Sequence, residues 1–329
     1  MSRARPQVLV YYGLPPDQLA RIRDEYTVVE ANPFDEGQKD RFLEALGQSV
    51  GMIGAQYPIG RALLEGAPKL RVVSSVSVGV DAYDQDALAR RGIILCHTPG
   101  VLDEAVADLL MGMILASSRR ILELADHVRR GAWDAAVGPD LFGWDVHGKT
   151  LGILGYGRIG RAVARRAALG FGMPVLYRSR TAVESGLPEG MARQVPLAEL
   201  LAGSDFLVSV LPLTPETRGL LGAAEFAQMK SSAVLVNGGR GPVVDEDALL
   251  QALDGGKIRA AALDVFTAEP LPLDSRLRTH PKVLPLPHVG SATHETRHAM
   301  SELATTNLLL ALRGEPPVAA YPLAAAAGD

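Results

Sequence analysis

Cysteine occurs once in the 329 residues, at Cys96, so no disulfide can close within the chain. That excludes a disulfide-stapled scaffold and fits a reducing compartment, with cytoplasm the expected location. Cys96 lies in the apolar run GIILCHTP and reads as a small buried hydrophobe. No apolar run reaches the roughly 18 residues that a membrane helix needs, so no membrane partner is expected. A surplus of positive charge is also missing. Lys and Arg number 33 against 37 Asp and Glu, for a net charge of -4. Such a chain lacks the broad basic field that nucleic acid requires. The N-terminal MSRARPQVLVYY carries a few positive charges, but Gly13, Pro15 and Pro16 cut its apolar run short. It reads as a first strand and not as a targeting segment. Internal repeats and low-complexity linkers are absent, and the Ala-rich tail after Pro322 has no pattern.

What is present is the balance of a globular protein, 47% hydrophobic and 21% charged, at a length that suggests about two domains. Strands are expected at 7–12, 26–31, 51–53, 70–74 and 93–96, with a helix at 16–25. A long helix is expected from Asp103 to about Arg130, stopped by Gly131, after a Thr98-Pro99-Gly100 break that suits a hinge. Residues 131–148 hold both tryptophans, Trp133 and Trp144, and read as an extended arm. A second alternating series follows. Its strands are expected at 150–155, 174–177, 206–210, 234–237, 260–264 and 283–286. Its helices are expected at 158–170, 197–201, 223–228 and 246–253, with a last helix at 294–312. Strands separated by helices imply βαβ units and parallel sheets.

Gly155-Tyr156-Gly157-Arg158-Ile159-Gly160 fits G-x-G-x-x-G, directly after an expected strand and at the start of a helix. Gly155 permits the tight turn, Gly157 lets backbone approach a pyrophosphate, and Gly160 allows close helix–strand packing. Residues at the end of the next strand choose between NAD and NADP. An Asp or Glu there holds a ribose 2′-hydroxyl. Here Arg178-Ser179-Arg180 occupies the place, and guanidinium suits a 2′-phosphate. NADP(H) is therefore the expected preference, with NAD(H) still open.

Three later segments each follow an expected strand: NGGRG with Arg240, DVFTAEP with Glu269, and PHVGS with His288. Ligands of open α/β sheets bind outside those strand ends. An Arg, an acid and a His together suit reduction of a keto acid. A protonated imidazole donates to the carbonyl oxygen as negative charge grows there. A neighbouring carboxylate favours the imidazolium, and a guanidinium holds the substrate carboxylate through paired hydrogen bonds.

These segments resemble the D-isomer-specific 2-hydroxyacid dehydrogenase family along nearly the whole chain. The run GPDLFGWDVHGKTLGILGYGRIGRAVARRAALGFGMPVLYRSR, with SVSVGVDAYD and LPHVGSAT, is most similar to its glyoxylate/hydroxypyruvate reductase and 2-ketogluconate reductase branch. The resemblance implies an α/β fold of two Rossmann-like or flavodoxin-like domains with doubly wound parallel sheets. The substrate domain would be discontinuous, residues 1–100 plus 292–329, around a dinucleotide-binding domain at 101–291. The product would be a D-2-hydroxy acid. Arg240 would bind the substrate carboxylate, Glu269 would pair with His288, and His288 would donate the proton. Val78 and Gly79 would hold the carboxylate by backbone amides, and the loop Gln56-Tyr57-Pro58 would line the pocket. Asp264 would orient the nicotinamide carboxamide and Leu211-Pro212 would cover the adenosine side. Gly238, His288 and Gly290 join the cofactor contacts. A homodimer is implied, with residues 103–147 crossing to the partner and Trp144 at the partner's pocket.

The other histidines, His97, His127, His147, His280, His294 and His298, read as structural. His97 packs near the hinge, and His294 and His298 cap the last helix and face solvent. No metal site is expected, because His294 and His298 lack a third ligand. Arg119-Arg120 and Arg129-Arg130 read as solvated helix charges. Glu269 argues against a formate dehydrogenase, whose His lacks an acid partner. The chain ends too soon for the regulatory domain of many phosphoglycerate dehydrogenases, and the Arg178 turn argues against the short form. Phosphite oxidation shares the three residues. A cofactor-sensing binding protein of corepressor type, on the same fold, is the alternative from another class.

Overall fold

Strands buried on both faces read as nearly unbroken aliphatic runs, and that is the pattern of LGIL, FLVS and VLVN. A computed structural model describes residues 5–55, 57–181 and 184–323. The chain divides into two compact units, Met1–Leu102 with Ala292–Asp329, and Asp103–Ser291.

The first unit holds β1 (Gln7–Val10), β2 (Thr27–Glu30), β3 (Ser49–Gly54), β4 (Val72–Ser75) and β5 (Ile94–Cys96). All pairings are parallel and the order is β2-β1-β3-β4-β5, the flavodoxin-like arrangement. Cys96 is fully buried, and burial pushes its thiol up to about 12. The last helix, His294–Arg313, packs on this sheet. Leu308 and Leu312 would meet a Cβ at Gly51 at 3.0 Å, so glycine lets helix and strand close up. Its cap is Thr293, whose hydroxyl accepts the Thr296 N–H, while His294 and His298 are exposed beyond it. Capping therefore falls to the threonine, not to the histidines.

The second unit holds β6 (Leu151–Leu154), β7 (Val175–Arg178), β8 (Ala192–Gln194), β9 (Phe206–Ser209), β10 (Val234–Asn237), β11 (Ala260–Leu263) and β12 (Val283–Pro285). Their order is β12-β11-β10-β9-β6-β7-β8, again wholly parallel. The direction of winding reverses between β6 and β9, which is the switch point of a Rossmann sheet. Both sheets are thus the doubly wound parallel kind expected.

One expected element is broken. The helix from Asp103 ends at Ser118, and a second helix runs from Ile121 to Arg129. Arg120 between them takes a left-handed φ of 52°. Its guanidinium donates to Glu123 and to the carbonyls of Asp140 and Phe142, so it ties down the arm instead of being solvated. The Ser118 carbonyl accepts from Trp144 N–H of the returning arm at 2.9 Å. Gly143 makes that approach feasible, since a Cβ there would lie 2.6 Å from the same oxygen. The arm is irregular except for one 3-10 turn at Pro139–Leu141. Among the described residues, no helix is long and apolar enough to cross a membrane.

Candidate active site

Parallel strands deliver all their carboxyl ends to one edge, so strand order fixes the order of the loops. From one end of the second sheet, that edge presents His288 after β12, then Asp264 and Glu269 after β11. Arg240 follows after β10, then Leu211-Pro212 after β9, the glycine turn after β6, and Arg178 at the end of β7. The expected acid, base and guanidinium thus come from three neighbouring strands. The glycine turn lies at the switch point, and the basic turn lies beyond it.

The glycine turn has the shape a dinucleotide needs. Gly155 has φ of 97°, which only glycine takes readily. A Cβ at Gly160 would lie 2.3 Å from the Gly155 carbonyl oxygen, so the helix start is pressed onto the turn. A Cβ at Gly157 would meet nothing within 4 Å. Gly157 is the N-cap of the helix Arg158–Phe171, and no side chain caps that terminus. Free N–H groups and the positive end of the helix dipole therefore face an open cradle, which fits a pyrophosphate. The Gly155 N–H donates to the Arg178 carbonyl at 3.2 Å, which fixes the basic turn beside the cradle. Arg178 and Arg180 are exposed, and Ser179 is half-buried.

His288 and Glu269 form a bonded pair, with Nδ1 of the imidazole 2.7 Å from Oε2. The other carboxylate oxygen accepts the Phe266 N–H at 2.9 Å. Burial raises the Glu269 carboxyl, but the His288 and Phe266 hydrogen bonds and the Arg240 charge outweigh it and hold the group below its ordinary value. His288 takes φ of 53°, a conformation that costs a non-glycine residue about 1–3 kcal/mol. The backbone is held there by Asp264, whose two oxygens accept the Val289 and Gly290 N–H groups at 2.8 Å each. Burial pushes the Asp264 carboxyl up against the pull of those two amides. A Cβ at Gly290 would lie 3.1 Å from Asp264, so a larger residue there would crowd the clamp.

The first unit carries the remaining expected residues at its own carboxyl edge. Val78 and Gly79 lie in the loop after β4 and are half-buried. Tyr57 stacks edge-on against Phe42 and Phe34, with centroids 5.1 and 5.4 Å apart. Gln56 lies outside the described residues. Trp144 sits under the Arg259 guanidinium of its own chain, 4.3 Å from the ring centroid. Among the described residues, no group of three His, Cys, Asp or Glu side chains has the arrangement of a metal site.

Residues 111–290 match the family model of the D-isomer specific 2-hydroxyacid dehydrogenase NAD binding domain. A glyoxylate/hydroxypyruvate reductase B from Escherichia fergusonii is 50% identical over 310 residues, covering 94% of this chain and 96% of that protein. This chain belongs to the D-isomer specific 2-hydroxyacid dehydrogenase family. Solved structures agree. An NADPH-dependent glyoxylate/hydroxypyruvate reductase from Sinorhizobium meliloti, in complex with NADP and malonate, superposes with a TM-score of 0.86 at 33% identity. It covers 97% of each chain. A glyoxylate reductase from Paecilomyes thermophila gives 0.87 at 31%, covering 98% of this chain and 99% of that one.

Three residues of this dehydrogenase shape the site without having been assigned a part from sequence. Asn237 brackets the Arg240 turn, donating to the Arg240 carbonyl at 3.0 Å and accepting the Gly239 N–H at 3.2 Å. The Asn-Gly dipeptide is the readable signal, since Asn closes such turns with its own side chain. Gly241 packs the Arg240 loop onto the Glu269 loop, because a Cβ there would lie 1.9 Å from the Phe266 carbonyl carbon. Glu246 accepts the Thr267 N–H at 2.6 Å and steadies the Glu269 loop from outside. Neither contact has a local signature.

Proposed function

We propose that this dehydrogenase reduces small 2-keto acids, glyoxylate and hydroxypyruvate foremost, to D-2-hydroxy acids, and that it prefers NADPH to NADH. The observation that carries the reading is the 2.7 Å His288–Glu269 pair, after β12 and β11, with Arg240 after the next strand, β10. When bound, the nicotinamide supplies a hydride to the keto carbon. The second unit serves as the dinucleotide-binding domain, with the pyrophosphate on the Gly157 cradle. Arg240 binds the substrate carboxylate and fixes the ketone in line. Glu269 accepts a hydrogen bond from Nδ1–H of His288, which leaves Nε2 to face substrate. Protonated Nε2 donates to the oxygen as it gains charge, and the neutral ring that remains still donates Nδ1–H to Glu269. Mixing the protein with NADPH and glyoxylate, hydroxypyruvate or 2-ketogluconate, while following nicotinamide absorbance, tests this. No turnover on any 2-keto acid would overturn it in favour of a cofactor-sensing binding protein.

The NADPH preference rests on Arg178-Ser179-Arg180, and the 33%-identical relative solved with NADP supports it. Arg178→Asp should lower the NADPH:NADH ratio of kcat/KM by about tenfold or more, since a charged phosphate contact is lost and a repulsive charge gained. An unchanged ratio would place the discrimination elsewhere.

The same reading makes the enzyme a homodimer through residues 103–147. The helix Ile121–Arg129 has no buried residue. Val128, Trp133 and Phe142 are 54%, 64% and 55% exposed, an apolar display that a second copy would cover. Trp133→Glu combined with Val128→Glu should convert the dimer to monomer in sedimentation; a wild-type mass would exclude this surface.

A further inference from the structure

We propose that His97 and Thr98 are positioning residues for substrate binding, because they hold the two peptide units whose N–H groups take the substrate carboxylate. This rests on the reading above that the Val78–Gly79 loop binds that carboxylate.

The loop after β4 is gripped from one side. The Thr98 N–H donates to the Ser77 carbonyl at 2.9 Å. His97 Nδ1 lies 3.1 Å from the Val78 carbonyl oxygen. A carbonyl only accepts, so Nδ1 carries the hydrogen there. The Ser77 carbonyl belongs to the peptide whose N–H is that of Val78. The Val78 carbonyl belongs to the peptide whose N–H is that of Gly79. In a trans peptide the C=O and N–H point in opposite directions. Consecutive residues therefore fasten the back of two consecutive peptides and turn both N–H groups the other way. Among the described residues, neither the Val78 nor the Gly79 N–H has a partner. A donor on each carbonyl also polarises its peptide and strengthens the opposite N–H, by roughly 10–30% per bond.

The grip is itself built in. The His97 N–H donates to the Ala319 carbonyl at 3.2 Å, and its own carbonyl accepts from the Asn307 side chain at 3.1 Å. Asn307 in turn accepts the Ala319 N–H at 3.0 Å. Tyr321 meets the His97 ring edge-on, with centroids 5.3 Å apart. On the far flank of the loop, a hydroxyl chain runs from Tyr83 to Ser75 at 2.8 Å, Ser75 to Ser77 at 2.7 Å, and Ser77 to the Gly79 carbonyl at 2.7 Å. The loop is thus preorganised from both flanks before any anion arrives, which reduces the ordering cost of binding.

The test separates positioning from mere stability. His97→Leu keeps bulk but loses the donor, and should raise the glyoxylate KM by about 5–10-fold, the scale of one hydrogen bond. Its kcat and its NADPH dissociation constant should stay within about twofold, and His97→Asn, which restores a donor at similar reach, should recover most of the KM. A lowered melting temperature with unchanged KM would overturn the inference, as would an equal loss in kcat and NADPH affinity. Val78→Pro and Gly79→Pro, checked for folding by circular dichroism, each delete one loop N–H. If one of them raises the KM and His97→Leu does not, the His97 inference alone fails. If folded proline variants and His97→Leu all keep the KM, the loop does not hold the carboxylate, and both readings fall.

Discussion

His288→Asn should lower kcat for glyoxylate reduction by about 10²–10⁴-fold, the usual contribution of a positioned general acid. Asparagine is the informative replacement. His288 sits at φ of 53°, and Asn accepts the left-handed region better than other side chains except Gly, so the loop held by Asp264 keeps its path. The amide cannot deliver a proton to a developing alkoxide. The loop itself should keep its path, since the contacts of Asp264 are to the backbone of Val289 and Gly290. A purified variant within threefold of the wild-type kcat would remove His288 from proton transfer. The reading of Glu269 as its partner would then have no chemical purpose.

The backbone strain at His288 explains why the site is more than three matching side chains. A turn that forces a non-glycine residue into the left-handed region needs something to hold it, and a buried carboxylate with both oxygens engaged does so. The resemblance implies that Asp264 orients the cofactor's carboxamide. Its observed bonds give it a duty within the protein as well.

The alternation of strands and helices was readable because a parallel sheet writes its pattern in long aliphatic runs. Strand Val234–Asn237 and helix Pro16–Glu25 fall where periodicity puts them. Misses fall where tertiary contacts decide. Ala192–Gln194 is a three-residue edge strand with two exposed side chains, so it carries no apolar run. The break at Arg119–Arg120 is set by the arm returning onto Ser118, and nothing in the helical periodicity of that stretch announces it. For the site, the chemistry of Arg240, Glu269 and His288 was legible, since the reaction asks for those groups at strand ends. The clearances at Gly241 and Gly239 were not. Each depends on a loop from a different strand, such as the Leu211 oxygen 2.7 Å from a Cβ at Gly239. The strand order that brings those loops together is a property of the whole sheet.

Glu269→Gln isolates the charge of the pair from its shape. In the wild type both oxygens accept, one from Phe266 N–H and one from His288. An amide offers one acceptor and one donor group. If its oxygen stays on Phe266, its NH2 faces Nδ1 and drives the ring proton to Nε2, leaving a neutral imidazole as the only acid. If it turns round, the Phe266 N–H loses its acceptor. Either way the pair loses its negative charge and one of its two hydrogen bonds, and kcat should fall by about 10²-fold. The lost charge also has a stability consequence. Glu269 is held below its unfolded value in the folded protein. Its contribution is therefore complete above the unfolded carboxylate value and is lost as pH falls through the folded one. The melting-temperature gap between wild type and Glu269→Gln should narrow on going from neutral to acid pH. A Glu269→Gln variant that keeps the wild-type kcat would show that the carboxylate does not serve the proton donor.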